Sequence, residues 1–240
     1  MNRSSQRRAA CVLSVLILLC LAATVSMAQN KKNAKRMRDA ARHASDAAQV
    51  FRAIMGTNDK SIPRELLDKA EAVAVFPGVV KAAFIIGGRG GQGVISRRIP
   101  GGWSAPAFFN LGGGSFGAQI GAAKVDYVLL IMNEAGVRGL MEDKFEMGGE
   151  IGVAAGPLGR EASASTTATL DAGILTYSRS KGLFAGVALK GAVINPDNDL
   201  NEAVYEGKKA REVLDREHSM KEMPIGVRVY PQTLSQYSKK

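Results

Sequence analysis

Past Cys20 the sequence contains no cysteine; Cys11 and Cys20 are the only two in 240 residues. No disulfide can therefore hold the body of the chain together, and it needs a hydrophobic core instead. Histidine is as scarce, with His43 and His218 the sole pair. A zinc site would have to be built from carboxylates, and these are not clustered for it, so no metal or other cofactor is expected. Acidic residues number 22 against 32 lysines and arginines, a net charge of +10. That excess suits an anionic partner, either a membrane surface or a nucleic acid.

What the N-terminus does contain reads as an export signal. Arg3, Arg7 and Arg8 form a positive segment and Cys11 to Val25 an apolar one. Ser26-Met27-Ala28 then offers small residues at the two positions a signal peptidase reads. The apolar run is too short, and too closely followed by that site, for a retained membrane span. Cys20 follows Leu19, where lipid attachment calls for a small residue, so no lipoprotein anchor is expected. The expectation is export to the periplasm or the extracellular side. Cutting 28 residues from 240 leaves 212, which keep every acid and lose three cations, for a net charge of +7. About 210 residues suffice for one or two cores. Export argues against nucleic acid and leaves the membrane surface as the expected partner.

Lys31 to Met55 reads as one amphipathic helix. Met37, Ala40, Ala41, Ala44, Ala48, Phe51 and Met55 recur at three- and four-residue steps on one face. Lys31, Lys35, Arg38 and Arg42 land on the opposite face, and Gly56 is a natural stop. Two roles stay open: a core-packing helix with a solvated basic side, or a helix laid on an anionic bilayer, for which the alanine-rich face is thin. A short helix with Leu66, Leu67 and Ala70 follows Pro63.

The period then changes to two. Ala72 to Phe76 reads as a strand stopped by Pro77, Val80 to Ile86 as another, Gly87 to Gly93 as a turn, and Val94 to Arg98 as extended chain. Lys81, Arg97 and Arg98 add positive charge near these strand ends. Ser104 to Met132 organises the rest. Phe116, Ala118, Ile120 and Ala122 alternate with Ser115, Gly117, Gln119 and Gly121, and Val125 to Met132 is apolar on both parities. Phe145, Met147, Ile151 and Val153 share a parity, as do Ala162, Ala164, Thr166, Ala168 and Leu170. A turn at Arg179 to Gly182 leads to a last long strand, Leu183 to Ile194, then a helix from about Leu200 to Arg216 and a weakly patterned tail from Met220. Short connections imply antiparallel pairing, and so many strands favour a sheet that closes on itself. The expected fold is α+β: an antiparallel, largely closed, barrel-like sheet with N-terminal amphipathic helices and a C-terminal helix packed on it.

Three chemical motifs fail on context. Gly88-Arg89-Gly90-Gly91-Gln92-Gly93 fits the dinucleotide fingerprint, but extended chain follows where a helix is needed. Gly113-Gly114-Ser115-Phe116-Gly117 fits the nucleophile elbow, yet a strand pattern follows and His218 is the one histidine downstream. Ser178-Arg179-Ser180-Lys181 has no companion motif and reads as a turn. Glu146 and Glu150 share a strand parity and form a solvated face. No catalytic residue is assigned.

Several strings in order resemble the SYLF family of lipid-binding domains, also described as the Las17-binding-protein, actin-regulator-like family. They are Ile62-Pro63 with Leu66, Leu67 and Ala70; Val75-Phe76-Pro77 with Lys81; the Gly87 to Gly93 glycines; Ser104 to Phe108; and Gly113 to Gly121, with Asp126 and Asn133 beyond. Ala155 to Arg160, Tyr177 to Leu183 and Tyr205-Glu206-Gly207 complete the set. The match runs from about 38 to 215, so the division is a signal peptide over 1–28, a SYLF-like domain over 29–219 and a tail over 220–240. The resemblance implies a non-enzymatic domain that binds phosphoinositides or other acidic phospholipids, some members also binding actin filaments or adaptor proteins. This chain departs in carrying an export signal and no SH3 or FYVE module. Read as a bacterial signal, it leads to a compartment without actin or phosphoinositides, where phosphatidylglycerol or cardiolipin is the expected lipid.

The expected lipid-binding residues are Lys31, Lys35, Arg38, Arg42, Lys81, Arg97 and Arg98. Four basic residues on the helix, at roughly 1 kcal/mol each, supply about 4 kcal/mol, which is only millimolar binding. Two alternatives remain: a structural or protein-interaction module of the cell envelope, and a carrier of small apolar ligands.

Overall fold

A computed structural model of the protein describes residues 31–57, 61–83, 87–115, 121–159, 172–215 and 223–238. Residues 1–28, expected as an export signal, the 162–170 alternation, most of the 115–122 alternation and His218 lie outside these residues.

The first helix, α1 (31–55), forms where the three- and four-residue period predicts it. Ala40, Ala44, Ala48 and Phe51 are fully buried, joined by Ala47, Val50 and Ile54. The Gly56 amide closes it onto the Arg52 carbonyl at 2.9 Å. Helix α2 (Arg64–Lys69) starts behind Pro63 and buries Leu66 and Leu67.

The strands are β1 (Ala72–Ala83), β2 (Gly87–Ile99), β3 (Gly102–Trp103), β4 (Ala107–Ser115), β5 (Gly121–Ile131), β6 (Phe145–Glu146), β7 (Val153–Ala155), β8 (Ile174–Ser180), β9 (Leu183–Gly186) and β10 (Val193–Pro196). Helix α3 (Glu134–Leu140) follows β5, and α4 (Asn198–Val204), α5 (Ala210–Asp215) and α6 (Val229–Tyr237) follow β10. The sheet runs β6-β10-β4-β2-β1-β5-β8-β7, with β3 on β2 and β9 on β8. It curls into a half-barrel, as the α+β expectation requires, but it is mixed: β7 and β8 are parallel. Residues 156–173 supply the long connection that a parallel pair needs.

Several local expectations are corrected. Pro77 does not end a strand. Phe76 to Val79 is a bulge inside β1, where the register slips against both β2 and β5. Pro77 has no N–H to give the ladder, and Gly78 at φ +56° turns its own amide onto Asp126 Oδ1 at 2.8 Å. Gly87 to Gly93 is likewise no turn but the first half of β2, paired with β1 on one side and β4 on the other. A methyl group on Gly93 would stand 2.3 Å from the Val75 carbonyl and 2.5 Å from the Phe76 ring, so glycine lets two strands close over an aromatic side chain. Between β6 and β7, residues 147–152 turn instead of continuing the strand, although Phe145, Met147 and Val153 are buried as their parity suggested.

Leu183 to Ile194 divides into β9 and β10. The β8–β9 hairpin turns on Lys181 at φ 50° and Gly182 at φ 80°, the two positive values that a two-residue turn matching the strand twist demands. The expected helix over 200–216 is two helices, broken where Glu206 and Gly207 adopt φ 53° and 85°. The tail from 220 is part of the core: Met223, Val227, Tyr230 and Leu234 are buried, and the Tyr230 hydroxyl donates to the Val73 carbonyl at 3.0 Å. Helix α6 also lies against α1, with Phe51 edge-on to Tyr237 at 5.9 Å and Arg52 donating to Thr233 Oγ1 at 2.9 Å.

Candidate functional site

Because α1 is held by its apolar face, its basic residues are turned outward. Lys31, Lys35, Arg38 and Arg42 are all exposed, and so is Lys32. Two acids temper them: Arg42 pairs with Asp39 at 3.0 Å, one turn back, and Arg36 approaches Asp199 on α4 at 3.7 Å. His43 sits on the flank of α1, over a cleft of about 530 Å³ that it shares with Asp46, Pro77, Gly78, Gln92 and Asn110. Burial, and then the neighbouring Arg42, hold its imidazole below the ordinary histidine value against the opposing pull of Asp39, Asp46 and Asp197.

The three remaining expected residues do not form one patch. Lys81 stands opposite Arg89, whereas Arg97 stands opposite Ala72. Eight residues of strand separate Arg89 from Arg97, roughly 25 Å. Arg97, with 21% of its side chain exposed, forks onto both carboxylate oxygens of Glu134 at 3.0 Å and reaches Asp215 at 3.2 Å. Arg98 donates to the Leu67 and Ala70 carbonyls at 2.7 and 2.9 Å and lies 4.3 Å over the Trp103 ring. Burial lowers its pKa from the usual arginine value, against Asp68 and Glu71, which raise it. These two guanidiniums are spent on the fold. Lys81 is half-buried with its ammonium 5.5 Å over the Tyr127 ring, and it takes part in no ion pair among the described residues.

At the same end of the sheet as Lys81, on both of its faces, stand cations that the sequence pattern did not single out: Arg89, Lys124, Lys181 and Lys190. Lys124 pairs with Val80 across β5 and β1. Only the strand register brings these residues together, since they are spread over more than a hundred positions.

The chemical motifs resolve as scaffold. Ser115 is the last residue of β4, with residues 116–120 beyond it outside the described residues, and Ser178 and Ser180 belong to β8. Among the described residues, no group of three or more histidine, cysteine or acidic side chains could hold a metal ion, and no helix is long and apolar enough to cross a membrane. A cleft of about 600 Å³ beside α3 and α5 is lined by Arg138, Met141, Glu142, Asp143, Lys209 and Arg211.

The strings that carried the resemblance meet in space. Tyr205 donates to the Pro106 carbonyl at 2.6 Å and stacks on Phe108 at 6.4 Å. The Tyr177 ring occupies the space a side chain on Gly156 would need, with its hydroxyl 3.3 Å from the Pro157 carbonyl. Asp126 takes Arg179 at 3.0 Å, and Asn133 caps α3.

Comparison with known proteins agrees with these strings. The family model described as Las17-binding protein actin regulator (Ysc84) matches residues 112–237. Protein YSC84 of Saccharomyces cerevisiae is 37% identical over 168 residues, 66% of this chain and 36% of its own length. SH3 domain-containing YSC84-like protein 1 is 35% identical over 173 residues in Xenopus laevis and 33% over 173 in Homo sapiens, in each case 70% of this chain and about half of the relative. The chain thus spans about a third to a half of the length of these curated relatives.

Proposed function

This chain belongs to the Las17-binding protein actin regulator family, the SYLF family, and from that footing we propose that it is a non-enzymatic peripheral domain binding anionic phospholipids. The observation that carries the reading is α1, whose apolar face is buried while Lys31, Lys35, Arg38 and Arg42 face outward. A helix anchored in this way meets lipid with its polar side, so docking is electrostatic and does not require α1 to insert. With residues 1–28 acting as an export signal, the membrane is met from the periplasmic or extracellular side. Phosphatidylglycerol or cardiolipin then supplies the negative charge.

The test is cosedimentation of residues 29–240, which include every described element, with neutral phosphatidylcholine vesicles and with phosphatidylglycerol/cardiolipin vesicles. Binding to the anionic vesicles alone, lost at high salt and weakened in the Lys31, Lys35, Arg38, Arg42→Gln variant, is the expected result. No binding to either vesicle overturns the proposal.

That outcome would favour a second reading, a protein-interaction module. It draws on the names of the relatives, among them LAS seventeen-binding protein 3 of Saccharomyces cerevisiae, 38% identical over 151 residues.

A further inference from the structure

The C-terminal segment runs beside α1 in the same direction. The Cβ position of Gly226 lies 2.8 Å from the Ala41 Cβ, Arg52 donates to Thr233 Oγ1, and Phe51 meets the Tyr237 ring. At 3.6 residues per turn, Ala41 and Arg52 fall on one line along the helix. To one side of that line is the buried stripe of Ala44, Ala48 and Phe51. To the other, roughly 80–120° round from Ala41, stand Lys31, Lys35 and Arg42, all exposed. The C-terminal segment therefore borders the basic face of α1.

Ile225 stands out from that border. It is 82% exposed, the most exposed large hydrophobic side chain among the described residues, whereas Met223 and Val227, two residues to either side, are buried. Its bond to Gly226 holds the Ile225 Cα within about 8 Å of the Ala41 Cβ. Arg38 precedes Ala41 by one turn and Arg42 follows it directly. Among the described residues, Lys31, Lys35 and Arg38 take part in no ion pair, and Arg42 pairs with Asp39 alone. Ile225 also lines a cleft of about 530 Å³ with Val204, Met223 and Pro224, whose charged members, Glu206 and Lys208, are one of each sign.

An apolar side chain turned out beside unpaired cations complements a surface that is anionic outside and apolar just beneath. We propose that Ile225 is the apolar anchor of the α1 docking face, entering the headgroup region of an anionic bilayer while Lys31, Lys35, Arg38 and Arg42 contact lipid phosphates. This rests on the anionic-lipid reading above and adds an orientation to it, since the bilayer meets α1 along the flank that carries the C-terminal segment. It also adds a source of affinity beyond the four cations. Cations at the phosphates and a shallow apolar residue beneath them are the ordinary means of interfacial binding.

Ile225→Trp in residues 29–240 tests it, because the one native tryptophan, Trp103, is buried and supplies a constant background. With phosphatidylglycerol vesicles, the new indole emission is expected to move to shorter wavelength and to be quenched by brominated acyl chains. Ile225→Glu is expected to weaken vesicle binding at least tenfold with an unchanged unfolding temperature. Leu183→Glu is the control for added negative charge, and should leave binding within twofold. Leu183 is 77% exposed and pairs with Ser180, out of phase with Arg179, Asp126, Lys124 and Val80. Val80 lines the cleft under α1, so Leu183 is on the far face of the sheet. An Ile225→Trp protein that cosediments with vesicles while its emission and quenching stay those of the free protein overturns the proposal. So does an Ile225→Glu protein that binds as the unsubstituted one does, or equal weakening by Leu183→Glu. Failure of the unsubstituted protein to bind any vesicle instead removes the anionic-lipid reading, and this one with it.

Discussion

At Asn201 a side chain stands in for a strand. Strand β10 ends at Pro196, level with Phe109; the Asp197 N–H still donates to the Phe108 carbonyl at 2.9 Å, but the Phe108 N–H meets no strand carbonyl on that side. The buried Asn201 amide fills the place, accepting from the Phe108 N–H at 2.8 Å and donating to its carbonyl at 3.0 Å. Gly93 has the converse role, since the site needs no side chain at all. Gly93→Ala is expected to cost about 1–3 kcal/mol, because the methyl meets backbone as well as the Phe76 ring. A urea or thermal unfolding curve reads the loss, and an unchanged midpoint would mean that β1 and β2 can part without penalty.

His43 makes stability depend on pH. Its folded pKa is below the unfolded value of about 6.5, so the unfolded chain holds more protons as pH falls past that point. The contribution is therefore fully present above about 6.5 and lost as pH falls through the folded value. Urea midpoints at pH 7.5 and 5.5 should fall less in His43→Gln than in the unsubstituted protein. Equal falls would show that the imidazole is indifferent to the cleft.

Among the elements, the β1 bulge and helix α6 decide most. Asp126 holds the bulge by accepting from Gly78 and pairing with Arg179. Helix α6 fills the space between α1 and the sheet with Tyr230 and Leu234, both fully buried. The burial of these two rings and branches contributes roughly 1.5–3 kcal/mol per large side chain, a large share of the stability of a small domain. Truncation after residue 222 is therefore expected to give a chain that unfolds at much lower temperature or is insoluble, whereas Tyr230→Phe should cost only about 1 kcal/mol for its hydrogen bond. A truncated chain with unaltered circular dichroism and melting would show that the domain ends where the sequence pattern weakens.

For the molecule as a whole, charge and core are separate. The core is apolar and the ion pairs lie at its margins, so salt should act on binding and hardly on folding. Raising monovalent salt from 0.1 to 1 M shortens the screening length from about 10 to about 3 Å. Over that range anionic vesicle binding should fall at least tenfold while the unfolding temperature moves by no more than a few degrees. Binding that survives high salt would mean that apolar contact, not charge, carries the attachment.

How much of this could be read from the residues follows from where the information lies. The α1 helix, its buried stripe and its exposed cations were legible, because both faces are written within three and four residues. The buried β5 strand and the Lys181-Gly182 turn were legible for the same local reason. The family was legible because its strings are spaced along the chain in a fixed order, and several of those among the described residues, such as Tyr177, Tyr205 and Asp126, make contacts that hold the scaffold. The bulge at Pro77, the glycine strand β2 and the helix at the C-terminus were misread. There a proline sits inside a strand because Asp126 is on the next one, Gly93 is a strand residue because Val75 and Phe76 close over it, and a weakly patterned tail is helical because a groove receives it. The same division runs through the candidate site. The sequence by itself determined a surplus of positive charge and a basic helix face. Tertiary structure alone decided that Arg97 and Arg98 are consumed by the fold and that Lys81, Arg89, Lys124, Lys181 and Lys190 share one end of the sheet. Strand pairing joins residues far apart in the chain, and no local period records it.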